Sequence, residues 1–341
     1  MNRLHTPFSH KGLTLRNRIV MPPMCQYSVH AKDGKPNDWH FVHYTSRAVG
    51  GAGLIIVEMT DVEPDGRITD YDLGLWSDDH IPAFARIVSA AHGHGAKIGV
   101  QIAHAGRKAQ DAETPVAPSA IPVEPGSKPP RALTTEETEA MVVKFREAAR
   151  RAIAAGVDTI ELHGAHGYLI HQFHSPALNK RDDAYGKDLS LFGVEIVRAV
   201  KSVMPPDMPL LMRISAVEYM DGGYELDHSL DIARKYRDAG VDMFHVSSGG
   251  EGPAGKRKPG NYPGYQVPFA RAFKQALDVP VIAVGMLESP ALADSVVASG
   301  DADLVGVARG MLRDPYWAIH AIQAVAGKAA IPAPKQYERA F

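Results

Sequence analysis

Apolar residues fall in short consecutive runs along the chain. Each run is followed by a turn and then an amphipathic stretch. The clearest runs occupy 54–57, 98–102, 159–162, 210–214, 243–246, 281–284 and 304–307, with 18–21 as the first member. They are rich in β-branched residues and apolar at successive positions, the pattern of a parallel strand buried on both faces. Helical spacing follows most of them. The stretch 81–94 ends near Gly95. The stretch 135–155 opens on Thr135 and places Glu137 and Glu139 early, an N-terminal signature. The stretch 227–239 has Asp227 as its candidate cap and stops at Gly240. The stretch 289–299 begins Ser-Pro and stops before Gly300, and 312–325 closes the series.

Three helix-to-strand junctions are alike: Ala155-Gly156-Val157-Asp158, Ala239-Gly240-Val241-Asp242 and Ser299-Gly300-Asp301-Ala302-Asp303. In each, glycine stops the helix and a strand follows within a few residues. Eight alternating strand and helix units predict an α/β fold, a single (β/α)8 TIM barrel. An open doubly wound sheet is the alternative, and eight near-equal units favour closure. Two excursions interrupt the rhythm, a Pro/Ala/Ser-rich one at 112–132 and a Gly/Pro-rich one at 247–268. Both follow strands, so both fall on the C-terminal face, where barrel active sites lie. Neither has the composition shift of a linker. The expectation is one domain over 1–341, with 331–341 as a tail.

Composition narrows the function. Of 341 residues, 45% are hydrophobic and 22% charged, which excludes disorder for most of the chain. A formal net charge of −2 offers no basic field for nucleic acid or an anionic membrane. One cysteine excludes an intrachain disulfide framework, a cysteine-built zinc site and an iron–sulfur cluster, and fits a reducing compartment. Residues 1–12 contain no apolar signal segment, and no apolar run reaches the roughly 18 residues of a membrane span, so a cytoplasmic protein is expected.

Polar residues gather just after the strands: Cys25, Gln26 and Tyr27; Gln101 and His104; His163, His166 and Tyr168; Arg213; Ser247 and Ser248; Arg309. Each alone could be a solvated loop residue; together they mark one end of the barrel. The pair His163 and His166 could ligate a metal, the basis of a barrel-hydrolase alternative. The other strand ends supply Gln101, Arg213, Gly285 and Arg309, a poor set for a cation. The pair could instead donate hydrogen bonds to a substrate oxygen, with Tyr168 as a proton source. Arg213 could pair with Glu58 or Glu161, or face an anionic cofactor. Gly285 and Arg309 end the last two strands, where barrels often bind phosphate. Cys25 could be a nucleophile or a buried small hydrophobe. The stretch from Gly250 to Lys256 spells most of a P-loop, but Arg257 and Pro259 follow where Ser or Thr and a helix are required.

The combined pattern resembles the old yellow enzyme family of FMN-dependent ene-reductases, and within it the bacterial NADPH dehydrogenase subgroup with a cysteine beside the flavin. The segments that carry the resemblance are Leu15-Arg-Asn-Arg-Ile-Val-Met-Pro-Pro-Met-Cys-Gln-Tyr-Ser28, Asn37-Asp-Trp-His40, Gly53-Leu-Ile-Ile-Val-Glu58, Gln101-Ile-Ala-His-Ala-Gly-Arg-Lys108, Glu161-Leu-His-Gly-Ala-His-Gly-Tyr-Leu169, Ser175-Pro-Ala-Leu-Asn-Lys-Arg181, Ala283-Val-Gly-Met286 and Gln336-Tyr-Glu-Arg339. They run nearly end to end.

The resemblance implies an enzyme with bound FMN, reduced by NADPH (NADH possible), that passes a hydride to activated alkenes such as α,β-unsaturated carbonyls. It implies that Pro22, Pro23, Met24 and Cys25 line the flavin ring, with Cys25 tuning it. Gln101 would meet the pyrimidine edge, and Arg213 would stabilise the anionic reduced flavin. Gly285, Ala308 and Arg309 would hold the phosphate. His163 and His166 would grip the substrate carbonyl, Tyr168 would protonate it, and Tyr27 would contact it from the opposite side. Arg339, with Tyr337, would enter a neighbouring subunit's site, implying a homodimer or homotetramer. A non-catalytic flavin sensor that switches at Cys25 is a further alternative. A dienoyl-CoA reductase-like chain would need an extra domain and a cysteine cluster.

Four positions depart from the family pattern. Pro22 removes a backbone N–H. Met59 stands beside the flavin position where alanine is usual. Ala308 replaces a glycine, which requires ordinary backbone angles there. The segment after Arg181 is shortened.

Overall fold

The computed structural model describes residues 3–253, 255 and 257–340. Ala254 and Lys256, part of the rejected P-loop-like stretch, lie outside the described residues, as do the first two residues and the last. Eight parallel strands form the central sheet: β1 (Ile19–Met21), β2 (Leu54–Asp61), β3 (Lys97–Ala103), β4 (Thr159–Gly164), β5 (Leu210–Ser215), β6 (Met243–Ser247), β7 (Val281–Ala283) and β8 (Leu304–Gly306). Each pairs with its neighbours in chain order, and β1 pairs with both β2 and β8. That last pairing closes the sheet into the expected barrel and rules out the open sheet. A two-residue strand, Leu73–Gly74, extends the upper end of β2.

The outer ring consists of α1 (Asp38–Val49), α2 (Ile81–Gly93), α3 (Thr135–Ala154), α4 (Leu191–Lys201), α5 (Leu226–Ala239), α6 (Val267–Leu277), α7 (Pro290–Ala298) and α8 (Trp317–Ala326). The large core lies between these helices and the strands. A second apolar cluster fills the lower barrel, where Val20, Ile56, Leu211, Met243, Ile282 and Leu304 meet Phe8, Leu13 and Leu15. Those last three come from an antiparallel hairpin, Phe8–His10 with Leu13–Leu15, that plugs the N-terminal end. Because side chains alternate along a strand, the interior changes character two residues higher. Leu211 and Met243 pair in register below, and Arg213 pairs with His163 and His245 above. An apolar floor and a polar ceiling leave the C-terminal end for chemistry.

The three similar junctions share one construction. Asp158 accepts the Ile98 amide at 2.9 Å and the Lys97 ammonium at 2.7 Å. Asp242 accepts the Leu210 amide at 2.9 Å and Lys201 at 3.2 Å. Asp303 accepts the Val281 amide at 3.0 Å and Lys274 at 2.9 Å. Each aspartate's own amide returns a bond to the same residue's carbonyl. The sequence shows the glycine stop; the carboxylate clasp is visible only in three dimensions.

Some element ends differ from the expected ones. The α3 cap is Thr134, in a reciprocal capping box with Glu137, so Thr135 is the first helical residue. Helix α5 starts one residue early, after Glu225, and Asp227 sits in its first turn and does not cap it. The expected helix 312–325 is two helices, Arg309–Arg313 and α8, because Pro315 cannot continue the first. Helices α1, α4 and α6 were not singled out by spacing. Among the described residues no helix is long and apolar enough to cross a membrane.

Candidate active site

A cavity of about 270 Å³ opens at the C-terminal end of the barrel. Its walls contain every residue expected at the cofactor: Pro22, Pro23, Met24, Cys25, Met59, Gln101, Arg213, Gly285, Ala308 and Arg309. His163, His166 and Tyr168 line it as well. Tyr27 lines an adjoining chamber, which Tyr168 also borders. Arg339 lies exposed in the C-terminal segment and does not line the cavity. The sequence did not single out Tyr265, Gln266 and Glu288 among the lining residues. They follow an irregular loop or a turn, with no periodicity to mark them.

The first wall depends on a bulge in β2. Val57 pairs with Val100 but Thr60 pairs with Ile102, so one extra residue sits at Glu58–Met59. Met59 turns into the cavity and packs in a cluster with Ile68 and Ala103, against Cys25 and Tyr168. Glu58 turns outward, accepting the Gln26 amide at 2.8 Å and the Tyr44 hydroxyl. Burial pushes the Glu58 carboxyl up to about 8. Gln26 folds back on the Met24 carbonyl at 2.9 Å, which fixes the Pro22–Cys25 stretch. Burial, then the nearby Glu58, raises the Cys25 thiol well above its ordinary value. A thiol so placed is not the activated thiolate a nucleophile requires.

Inside the barrel, Glu161 accepts from Gln101 Nε2 at 2.8 Å and bonds His245 Nδ1 at 2.7 Å. Its carboxylate is therefore occupied, as is that of Glu58, and neither forms an ion pair with Arg213. Arg213 Nε is buried without a hydrogen-bond partner. Among the described residues Arg309 likewise forms no ion pair, and Glu288, the carboxylate on the cavity wall, is taken by Arg313, so two guanidinium groups face one cavity without a direct ion-pair partner. Arginine beside the His pair also disfavours a divalent cation there. Among the described residues, the cluster with metal-ligand spacing is His171, Glu218 and Glu251, which excludes His163 and His166.

The opposite wall carries the His pair and Tyr168. The His163 and His166 rings meet edge-on at 5.2 Å, and the Tyr168 ring lies 4.8 Å from His163. Burial and the Arg213 charge push both imidazoles well below their ordinary values, so both are neutral near pH 7. The Ala165 amide donates to His163 Nδ1 at 3.3 Å. That leaves the His163 proton on Nε2, available to a ligand. His166 is held at φ 58° by its amide bond to Ser215 Oγ and by Ser247 Oγ, 2.7 Å from Nε2. A non-glycine residue in the left-handed region stores strain, here spent on aiming the ring. Burial raises the Tyr168 hydroxyl well above 10, keeping its proton in place.

The last two strands supply close backbone approach. Gly285 has φ 120°, and a Cβ there would lie 3.1 Å from Gln266. Met286 follows at φ 56°. Ala308 sits at φ −86° and ψ −87°: φ is negative, as a residue with a Cβ requires, but ψ lies outside the ordinary helical range, so the expected ordinary angles are met in φ alone. Arg309 then opens a short helix at the cavity rim. Unpaired guanidiniums, a glycine-permitted backbone approach and an amide edge at Gln101 fit a phosphate-bearing, ring-containing cofactor such as FMN.

Residues 3–326 match the family described as NADH:flavin oxidoreductase / NADH oxidase. The chain is 45% identical over 342 residues to the NADPH dehydrogenase of Bacillus velezensis, covering 99% of both chains. It is equally 45% identical over 342 residues to the NADPH dehydrogenase of Bacillus subtilis, again over 99% of each. Among solved structures, morphinone reductase superposes with a TM-score of 0.82 at 27% identity, over 95% of this chain and 90% of that one. A 2-naphthoyl-CoA reductase reaches 0.89 at 25% identity, over 94% of this chain and 52% of that longer one. The chain belongs to the NADH:flavin oxidoreductase / NADH oxidase family, the relationship its old yellow enzyme-like segments indicated.

Proposed function

We propose that this chain is an FMN-dependent ene-reductase, reduced by NAD(P)H and reoxidised by activated alkenes such as α,β-unsaturated carbonyls. The observation that carries the reading is the placement of two guanidiniums without a direct ion-pair partner, Arg213 and Arg309, across one cavity from a neutral His163, His166 and Tyr168 wall. The bound flavin supplies the hydride chemistry. Gln101 and the Pro22–Cys25 stretch hold and orient it, and Gly285, Ala308 and Arg309 hold its phosphate. Arg213 favours its anionic form by charge.

His163 and His166 donate N–H groups to the substrate carbonyl oxygen. Neutral imidazoles can fill this role, because each keeps one N–H to donate without placing a further positive charge beside Arg213. Donors fixed in advance toward a developing enolate lower the barrier by a few kcal/mol each, about 3. Tyr168 delivers its hydroxyl proton to the α-carbon, and Tyr27 closes the substrate from the other side. Exposed Arg339 and Tyr337 suit the entry of a C-terminal segment into a neighbouring copy, so the working form is a homodimer or homotetramer.

The test is an anaerobic spectral titration with NADPH and then 2-cyclohexenone. A yellow spectrum that bleaches and then recovers is expected. A colourless protein that FMN cannot reconstitute would overturn the reading. Bleaching without recovery would retain the flavin and overturn the enone substrate.

A further inference from the structure

The chamber beyond Tyr168 has a chemistry of its own. Its volume is about 500 Å³, larger than the flavin-side cavity and within the roughly 300–1,000 Å³ range of ligand sites. Tyr168 borders both spaces, so this chamber adjoins the flavin-side cavity on the far side of the Tyr168 side chain. The excursion 112–132 builds the outer wall. It is pinned at its neck, where Val116–Ala117 pairs with Arg131–Ala132.

Two ammonium groups face the chamber. Lys108 Nζ donates to the His166 carbonyl at 2.7 Å and to the Gly250 carbonyl, and lies 5.3 Å over the Tyr168 ring. Lys128 Nζ donates to the Ala112 carbonyl at 2.7 Å. An ammonium has three donors, so both lysines keep at least one for a ligand. Arg107 also borders the space, but its Nη groups serve the Ile121, Pro122 and Glu251 carbonyls. Glu124 is the one carboxylate on the wall, against these three cations. Burial lowers Lys108 to about 8, opposed by the charge of Glu251 and reinforced by that of Arg107. Ile68 and Val123 make the remaining surface apolar.

From the unspent donors, the excess of cations and the shared Tyr168 wall, we infer that this chamber binds the anionic tail of ligands whose reacting end sits at the histidine pair. The inference rests on the ene-reductase reading. Two sources carry that chemistry: the phosphates of the nicotinamide donor, and a carboxylate on the far end of an alkene substrate. Either would lie along the apolar surface with its charge between Lys108 and Lys128.

Lys128 is outside the proton-transfer wall, so Lys128→Ala and Lys128→Glu isolate the chamber. Stopped-flow half-reactions would compare NADPH with phosphate-free 1-benzyl-1,4-dihydronicotinamide, and trans-3-benzoylacrylate with uncharged 2-cyclohexenone. Lys128→Ala is expected to weaken a charged ligand about threefold to fivefold, the worth of a partly exposed ion pair. Lys128→Glu should weaken it further, and the uncharged ligands should be unchanged. Loss on NADPH alone assigns the chamber to the donor's phosphates; loss on benzoylacrylate alone assigns it to substrate carboxylates. No loss on either, or equal loss on charged and uncharged ligands, overturns the inference. If the unmutated protein neither bleaches nor recovers, the ene-reductase reading fails first and the chamber's role with it.

Discussion

Replacing Tyr168 with phenylalanine removes one oxygen and one proton from the wall facing His163. Among the described residues nothing hydrogen-bonds that hydroxyl, so the change breaks no internal bond. The ring keeps its contacts with His163 at 4.8 Å and Lys108 at 5.3 Å. Thermal stability should therefore shift by less than about 1 kcal/mol. The rate effect should be much larger and confined to one half-reaction. A positioned general acid contributes about 10²–10⁴-fold, or roughly 3–5 kcal/mol of barrier. Burial keeps the Tyr168 proton in place across the working pH range. Anaerobic stopped-flow separates the steps. Bleaching by NADPH should proceed within about twofold of the parent, since no protein proton is consumed there. Recovery with 2-cyclohexenone should slow about 10²-fold or more. Recovery at an unchanged rate would show that another group, or water, delivers the proton.

Three further outcomes follow from particular contacts. Gly285→Ala would place a Cβ 3.1 Å from Gln266 at φ 120°; with a strain of about 1–3 kcal/mol, FMN affinity measured by fluorescence quenching should fall about tenfold, and unchanged affinity would remove Gly285 from the phosphate contact. Asp303→Ala would orphan the buried Val281 amide and unpair Lys274, so chemical denaturation should show a loss of about 1–3 kcal/mol; a neutral result would refute the clasp. Burial lowers His43 from its unfolded value of 6.5 to about 3, so below pH 6.5 the unfolded chain takes up a proton that the folded chain refuses, and stability falls with pH. The loss reaches about 2 kcal/mol by pH 5, and His43→Phe should remove that share of the slope in denaturation measured at the two pH values; an identical slope would contradict the assignment.

The barrel was legible because parallel strands buried on both faces must be apolar at successive positions, and eight such runs leave little room for another closure. The cofactor residues were legible in two ways: Gln101, Arg213 and Arg309 stood out as polar residues at strand ends, whereas Pro22, Pro23, Met24, Met59 and Ala308 were marked only by the family resemblance. Helix α1 escaped notice because two of its buried positions are His40 and His43, residue types that read as solvent-facing. Burial of histidine depends on neighbours from other elements, and no local spacing encodes it. Helix α6 was hidden by the Gly/Pro-rich excursion that runs into its first turn. The chamber behind Tyr168 was invisible for a stronger reason. Lys108 precedes the 112–132 excursion and Lys128 lies within it, twenty residues on, and no local spacing shows that the folded excursion brings both to one wall.

The three aspartate clasps divide the barrel's eightfold ring unequally. Each fastens an odd strand to the even strand after it: β3 to β4, β5 to β6 and β7 to β8. In the first pair the fastening residue comes from the other direction, as Asn17 at the head of β1 reaches the Gly51 carbonyl before β2. The ring is thus four doublets joined by seams at which no such carboxylate sits. A seam has no carboxylate clasp and holds by ladder bonds, packing and side-chain bonds to carbonyls, as from Thr159 Oγ1 to Pro209 and from Arg18 Nη1 to Asp303, so a doublet is the natural unit of partial opening. Amide protons of Ile98, Leu210 and Val281 should then outlast those of the strand starts at the seams. A cut or a permuted terminus placed at a seam spares every clasp, whereas one placed inside a doublet severs a carboxylate from the amide it was built to hold.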